Sequence, residues 1–182
     1  MNKVDLSKFN NSWYNHGSKF KCLFWYLCNI AFLKSSLPYP SWFKIMILKL
    51  FGAKISWKTV IKPCVNIKYP WFLEIGDNVW IGEDVWIDNL CLVKIGDNVC
   101  ISQGVYILTG NHNYKTETFD LLLKPVVVED GVWLGAKSII CPGIILKSHS
   151  ILTVGSVLMS DTEEYTIYKG NPAVPVKKRI IK

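Results

Sequence analysis

The chain has 182 residues, half of them hydrophobic, 13% aromatic and only 19% charged, which suits one folded domain and excludes intrinsic disorder over most of its length. Its longest apolar run, Cys22 to Leu33, is interrupted by Asn29 and bounded by Lys21 and Lys34, so it is too short to span a bilayer. A formal charge of +7 on so apolar a chain calls for an anionic partner.

The opening MNKVDLSKFNNS lacks the apolar core of a secretion signal, which predicts a cytoplasmic protein. Residues 1–51 then read as a helical segment. Amphipathic helices are expected at about Lys19 to Leu33 and Ser41 to Phe51, broken by Leu37-Pro38-Tyr39-Pro40 and stopped by Gly52. They are expected to cap the next element. The alternative is a peripheral membrane contact through Phe24, Trp25, Trp42 and Phe43 with Lys19, Lys21, Lys44 and Lys49.

From residue 52 to 168 the pattern changes. Ile75-Gly-Asp-Asn-Val-Trp-Ile81 returns twenty residues later as Ile95-Gly-Asp-Asn-Val-Cys-Ile101. Beneath that repeat an aliphatic residue recurs every six: Ile55, Ile61, Ile67, Ile75, Ile81, Ile87, Ile95, Ile101 and Ile107, then Val128, Leu134, Ile140, Leu146, Leu152 and Leu158. A small or β-branched residue stands four places after most of them, from Thr59 and Val65 to Ser150 and Ser156. This is the hexad of a parallel β-helix: three short strands close a triangular coil, and the aliphatic residues stack on those of the next coil. Roughly five coils of ~4.8 Å each are expected. Gly76, Gly82, Gly96 and Gly135 read as corner residues, where side chains crowd and unusual backbone angles are needed. The twenty-residue period places two extra residues at one corner of the early coils. Between Ile107 and Val128 the hexad lapses, so residues 108–124 leave the coil as a loop, where function concentrates. Residues 169–182 form a tail.

Six cysteines without a CxxC pair read as buried free thiols. Trp80, Trp86, Tyr106 and Trp133 each precede an inward aliphatic and so point outward, Trp86 above Tyr106 in one column, Trp80 and Trp133 in another. Such aromatics are expected to be covered by a neighbouring subunit or by the helices, or to form a sugar-stacking wall.

From Leu50 to Lys182 the chain resembles the hexapeptide-repeat acetyltransferases. The likeness rests on the repeat, on Leu108-Thr-Gly-Asn-His-Asn-Tyr114, on Gly131-Val-Trp-Leu-Gly135 with Pro142-Gly143, and on Gly170-Asn-Pro-Ala173. Leu50-Phe-Gly-Ala-Lys-Ile55 and Tyr69-Pro-Trp71 are similar to the colanic acid and exopolysaccharide branch. The resemblance implies an all-β, left-handed parallel β-helix, assembled as a homotrimer with acetyl-CoA held between neighbouring prisms and no metal required. It implies His112 as general base, drawing the proton from an acceptor hydroxyl that attacks the thioester. Ala136 matches the thioester end of the cofactor, Val154 its pantetheine arm and Ser160 the nucleotide end. Lys177, with Lys178 and Arg179 beside it, matches the residues on the CoA phosphates, although Val174 stands where the family carries another basic residue. His16 and His149 are expected to be structural.

On the acceptor side, Gly82 and Leu90 stand where galactoside-specific relatives hold the sugar. Asp84 and Asn89 either face the groove or complete corner hydrogen bonds; Asn111 and Tyr114 flank the base. The expected reaction is O-acetylation of a sugar or oligosaccharide, free, nucleotide-linked or lipid-linked, in surface polysaccharide synthesis. The alternatives are N-acylation of an amino-sugar nucleotide and a non-catalytic glycan-binding or scaffold solenoid. A zinc-dependent reading is disfavoured, because it needs three clustered histidines and the solenoid has only His112 and His149. Nucleic acid is not expected as a partner, since the lysines are dispersed and no recognition element is present.

Overall fold

A computed structural model describes residues 3–182, in which the hexads close into a triangular parallel β-helix. Met1 and Asn2, at the head of the stretch tested above for a secretion signal, lie outside the described residues. The first coil comprises β1 (Lys54–Ile55), β2 (Val60–Ile61) and β3 (Asn66–Ile67); the second, β4 (Leu73–Ile75), β5 (Trp80–Ile81) and β6 (Trp86–Asp88). The third comprises β7 (Val93–Ile95), β8 (Cys100–Ile101) and β9 (Tyr106–Leu108), followed by a hairpin, β10 (Gly110–His112) and β11 (Leu121–Leu123). Then come β12 (Val126–Val128), β13 (Trp133–Leu134) and β14 (Ile139–Ile140), and above them β15 (Ile145–Leu146), β16 (Ile151–Leu152) and β17 (Val157–Leu158). A sixth turn begins with β18 (Thr166–Gly170), against which β19 (Ala173–Lys178) folds back antiparallel.

Three sheets result: β1-β4-β7-β12-β15, then β2-β5-β8-β13-β16-β18-β19, then β3-β6-β9-β14-β17. Parallel pairing puts like positions over one another. Ile61, Ile81, Ile101, Leu134 and Leu152 form one inward ladder, and Ile67, Ile87, Ile107, Ile140 and Leu158 another. Every aliphatic of the hexad series is buried, each worth about 1.5–3 kcal/mol against exposure.

The corners correct half of the glycine reading. Gly76, Gly82, Gly96 and Gly135 do not adopt left-handed angles; those fall on Asn78, Asp84, Asn98, Lys137 and His149, with φ between 56° and 58°, and on four other glycines, Gly104, Gly131, Gly143 and Gly155, with φ between 65° and 86°. The first four glycines are there for approach. A Cβ on Gly82 would lie 2.8 Å from the nitrogen of Gln103, and one on Gly135 would lie 2.6 Å from that of Val154, so any side chain would push adjacent coils apart. His149 is a corner residue whose ring stacks on Tyr165 at 4.7 Å, and His16 stacks on Tyr69.

The extra residues of the early coils lie between the third and first sheets, where Pro70–Phe72 makes a 3-10 turn. Asn89 belongs to this corner and is fully buried. Its Oδ1 accepts from the Tyr69 N–H at 3.1 Å and its Nδ2 donates to the Tyr69 carbonyl at 2.6 Å. Of the two roles open to it, Asn89 fills the corner role and has no polar group to offer a sugar. The loop leaves from the same corner, between β9 and β12, where added residues do not disturb the stacked sheets.

At the start of the prism, α1 (Lys19–Cys28) runs into a π-helical turn, Asn29–Leu33, and α2 (Ser41–Leu50) ends at Gly52 (φ +103°). Trp25, Leu33, Ile45 and Leu48 are buried, and the Trp25 indole donates to the Ile67 carbonyl at 3.0 Å, so the helices cover the first coil. Trp25 and Lys44 therefore cannot face a membrane. Lys44 is buried and donates to the carbonyls of Ile61 and Lys62 at 3.4 and 2.9 Å; desolvation pushes its ammonium pKa down. Phe43 is half-buried against Phe32.

Trp86 stacks on Tyr106 with centroids 4.7 Å apart, and Trp80 and Trp133 share a column with Cys100 between them. The helices leave these tryptophans between 41% and 46% exposed, so they do not supply the expected cover. The six cysteines are free but half-buried rather than fully buried. Replacing Asn89 by Ala should lower the unfolding free energy by about 1–3 kcal/mol in a denaturant titration, through two orphaned Tyr69 backbone groups.

Candidate active site

His112 ends β10, which pairs antiparallel with β11 so that His112 lies opposite Leu121. Its Nδ1 is 2.9 Å from the Phe119 carbonyl, and its ring lies flat on the Phe119 ring at 4.4 Å and 7°. Phe119 holds this position with φ at +51°, an uncommon angle for an aromatic residue. A carbonyl only accepts, so Nδ1 carries the proton and donates it, and the neutral ring keeps its lone pair on Nε2. The chain has thus set the tautomer that a base needs.

The N-terminal segment adds a second wall. Phe9 approaches the His112 ring at 5.8 Å between centroids. Just before it, the Asp5 N–H donates to the Glu117 carbonyl at 2.9 Å, and Lys8 pairs with the Glu117 carboxylate at 2.6 Å. Further along, the Tyr14 hydroxyl donates to the Leu90 carbonyl at 2.6 Å, and burial pushes its pKa upward. These contacts clamp the His112 loop to the corner from which it leaves.

A cavity of about 460 Å³ opens at another corner, between the second and third sheets. Ser102, Gln103, Trp133, Gly135, Ala136 and Val154 are among its lining residues. Ala136 and Val154, expected along the cofactor, thus line one cavity. The chain turns at both residues, and their backbone N–H groups have no acceptor among the described residues. Such N–H groups at a fixed corner suit a developing oxyanion or the amide carbonyls of an extended arm. The Trp133 indole donates to the Ser102 hydroxyl at 3.0 Å, which fixes one wall.

The remaining expected residues divide. Ser160 is exposed beyond β17 and does not line this cavity. Lys177 is exposed and makes no ion pair among the described residues. Lys178 is engaged, its ammonium 2.9 Å from the Glu163 carboxylate and 2.7 Å from the Thr166 hydroxyl. Arg179 is engaged too, donating to the carbonyls of Gly131 and His149 at 2.8 and 3.1 Å, so its guanidinium anchors the tail. Asp84 is an exposed corner residue. Asn111 accepts from the His112 N–H at 2.8 Å, and Tyr114 is exposed beside the loop.

Sequence reasoning missed Phe119 and Phe9. The first acts through its main-chain carbonyl, which no residue type announces; the second lies more than a hundred residues from His112. A larger cavity, about 510 Å³, lies beside α1 between Tyr26, Lys34, Lys68 and Trp86, and none of the expected site residues lines it.

Residues 73–109 and 125–160 match the model for the hexapeptide repeat of succinyl-transferase, and the gap between them is the His112 loop. Over 177 residues, 97% of each chain, the protein is 30% identical to the Escherichia coli (strain K12) protein named as colanic acid biosynthesis acetyltransferase WcaF. The chain belongs to the hexapeptide-repeat acetyltransferase family. Its fold is shared with a maltose O-acetyltransferase from Clostridium difficile 630, at TM-score 0.77 and 24% identity, covering 89% of this chain and 88% of that one. It is shared too with the acetyltransferase VCA0836 of Vibrio cholerae O1 biovar eltor complexed with acetyl coenzyme A, at TM-score 0.69 and 24% identity over 76% of each chain. The prism is thus the left-handed parallel β-helix of this family.

The tautomer is open to direct measurement. Long-range proton–nitrogen NMR of the neutral His112 ring should show a protonated Nδ1 and a bare Nε2; the opposite tautomer would leave no lone pair free for catalysis.

Proposed function

We propose that the protein moves the acetyl group of acetyl-CoA onto a sugar hydroxyl in the cytoplasm, in the synthesis of a surface polysaccharide, with His112 as the general base. The observation that carries this reading is the Nδ1 to Phe119 hydrogen bond, which leaves Nε2 as an acceptor on a loop that departs from a rigid scaffold. Nε2 takes the proton as the acceptor oxygen attacks the thioester carbonyl. The tetrahedral intermediate places negative charge on the former carbonyl oxygen, for which the free N–H of Ala136 is the candidate donor. Collapse breaks the carbon–sulfur bond, and the His112 imidazolium returns its proton to the departing thiolate. The step as written draws on no metal ion.

A hydroxyl rather than an amine acceptor is supported by the name of the maltose O-acetyltransferase, and a role in polysaccharide synthesis by that of the colanic acid relative. A trimer is supported by topology. The base leaves the prism at the corner between the third and first sheets, whereas the cavity of Ala136 and Val154 lies between the second and third. These corners lie at opposite edges of the β3-β6-β9 sheet, so His112 and the cavity are apart in one chain, and in the homotrimer that the family resemblance implies a neighbouring copy would bring its His112 to this cavity. Of the three basic residues expected at the CoA phosphates, Lys177 is then the one left free.

His112→Ala should lower kcat for acetyl transfer by roughly 10²–10⁴-fold with little change in KM for acetyl-CoA. Undiminished turnover would sink the base. Lys177→Ala should raise KM for acetyl-CoA several-fold at unchanged thermal stability. Arg179→Ala should instead lower the melting temperature, because two corner carbonyls lose their donor.

A further inference from the structure

We infer that the helical end of the prism is a docking surface for an anionic lipid bilayer, independently of the reaction assigned above. The starting observation is that each helix has apolar residues on two faces. The inward face is satisfied by the first coil: Trp25, Leu33, Ile45 and Leu48 are buried. On the outward face of α1, Phe20, Leu23, Phe24 and Leu27 follow the i, i+3, i+4, i+7 spacing of a single stripe and are between 55% and 76% exposed. On α2, Trp42, Met46 and Leu50 form a second exposed stripe at four-residue spacing. The core has no need of either stripe, and water disfavours both.

Charge identifies the occupant. Residues 6–73 contain ten lysines and no acidic residue, whereas residues 74–182 contain ten basic and thirteen acidic residues. The whole positive excess of the chain therefore belongs to the helical end and the first coil. Some of these lysines are neutralised locally, Lys54 by Glu74, Lys58 by Asp77 and Lys68 by Asp88. Lys19 and Lys34, at the two ends of the α1 segment, are exposed and make no ion pair among the described residues.

An apolar stripe flanked by free lysines, on a segment that itself carries no acidic residue, matches acyl chains beneath anionic headgroups, where each lysine adds favourably to binding. A second copy seated face to face would set lysine against lysine. No helix among the described residues is long and apolar enough to cross a membrane, so the contact is interfacial.

The test is co-sedimentation of the full chain with phosphatidylcholine vesicles and with vesicles that also contain phosphatidylglycerol. Binding is expected to the anionic vesicles and to weaken with added salt. Lys19→Gln with Lys34→Gln should lower the partition coefficient roughly 30-fold, at about fivefold per lysine. Phe20→Ser with Phe24→Ser should abolish binding while the circular dichroism melt stays unchanged, since neither ring is in the core. The proposal is overturned if neither vesicle carries the protein down, or if the substituted chains bind as well as the parent. It is equally overturned if light scattering shows that the phenylalanine pair instead breaks a lipid-independent oligomer, which would make the face a contact between copies.

Discussion

The structure depends on one repeated contact, the seating of each coil directly on the one below. Strands of two or three residues have little ladder to hold them, and each contributes only one or two inward side chains. Stability therefore comes from the columns: Ile61 beneath Ile81 beneath Ile101 beneath Leu134 beneath Leu152, all essentially solvent-free. Such columns form only if the coils stay in van der Waals contact at every corner. That requirement strips the side chain from Gly82 and Gly135, whose Cβ atoms would meet the backbone of the next coil.

The same requirement shapes the chemistry. Where the chain turns at Ala136 and Val154, the backbone N–H groups find no partner among the described residues, and the glycine beside Ala136 leaves no side chain over them. Unpaired donors are normally a cost. Here they line a concave corner, where a ligand with carbonyls of its own would satisfy them. The His112 loop leaves the prism where the early coils already carry extra residues, between the third and first sheets, and where Asn89 and the N-terminal segment brace the insertion.

How much of this was legible follows from how far apart the causes lie in the chain. The inward columns were readable from Ile55 to Leu158, because burial repeats every six residues and only aliphatics fit. The loop was readable because the repeat lapses. The left-handed corners were legible only where they fall on Gly104, Gly131, Gly143 and Gly155; others fall on Asn78, Asp84, Asn98, Lys137 and His149, residues tolerated rather than required there, while Gly82 and Gly135 serve a steric need set by another coil. Lys178 and Arg179 look free in sequence, and only the antiparallel return of β19 brings them to Glu163 and to the Gly131 carbonyl. Likewise Lys44 reads as a basic residue on an amphipathic helix until the first coil presents two carbonyls to it.

These engaged cations change the meaning of the net charge. With Lys178 and Arg179 tied to the tail and its corner, a CoA phosphate site at Lys177 would account for little of the +7. From residue 74 onward the protein is slightly acidic. The excess lies below, around helices whose outward apolar stripes have no partner among the described residues. Charge and hydrophobicity in excess at the same end have a common physical resolution in a surface that is both anionic and apolar. That surface would hold the prism by its end and leave the corner grooves, which run along its length, open to solvent.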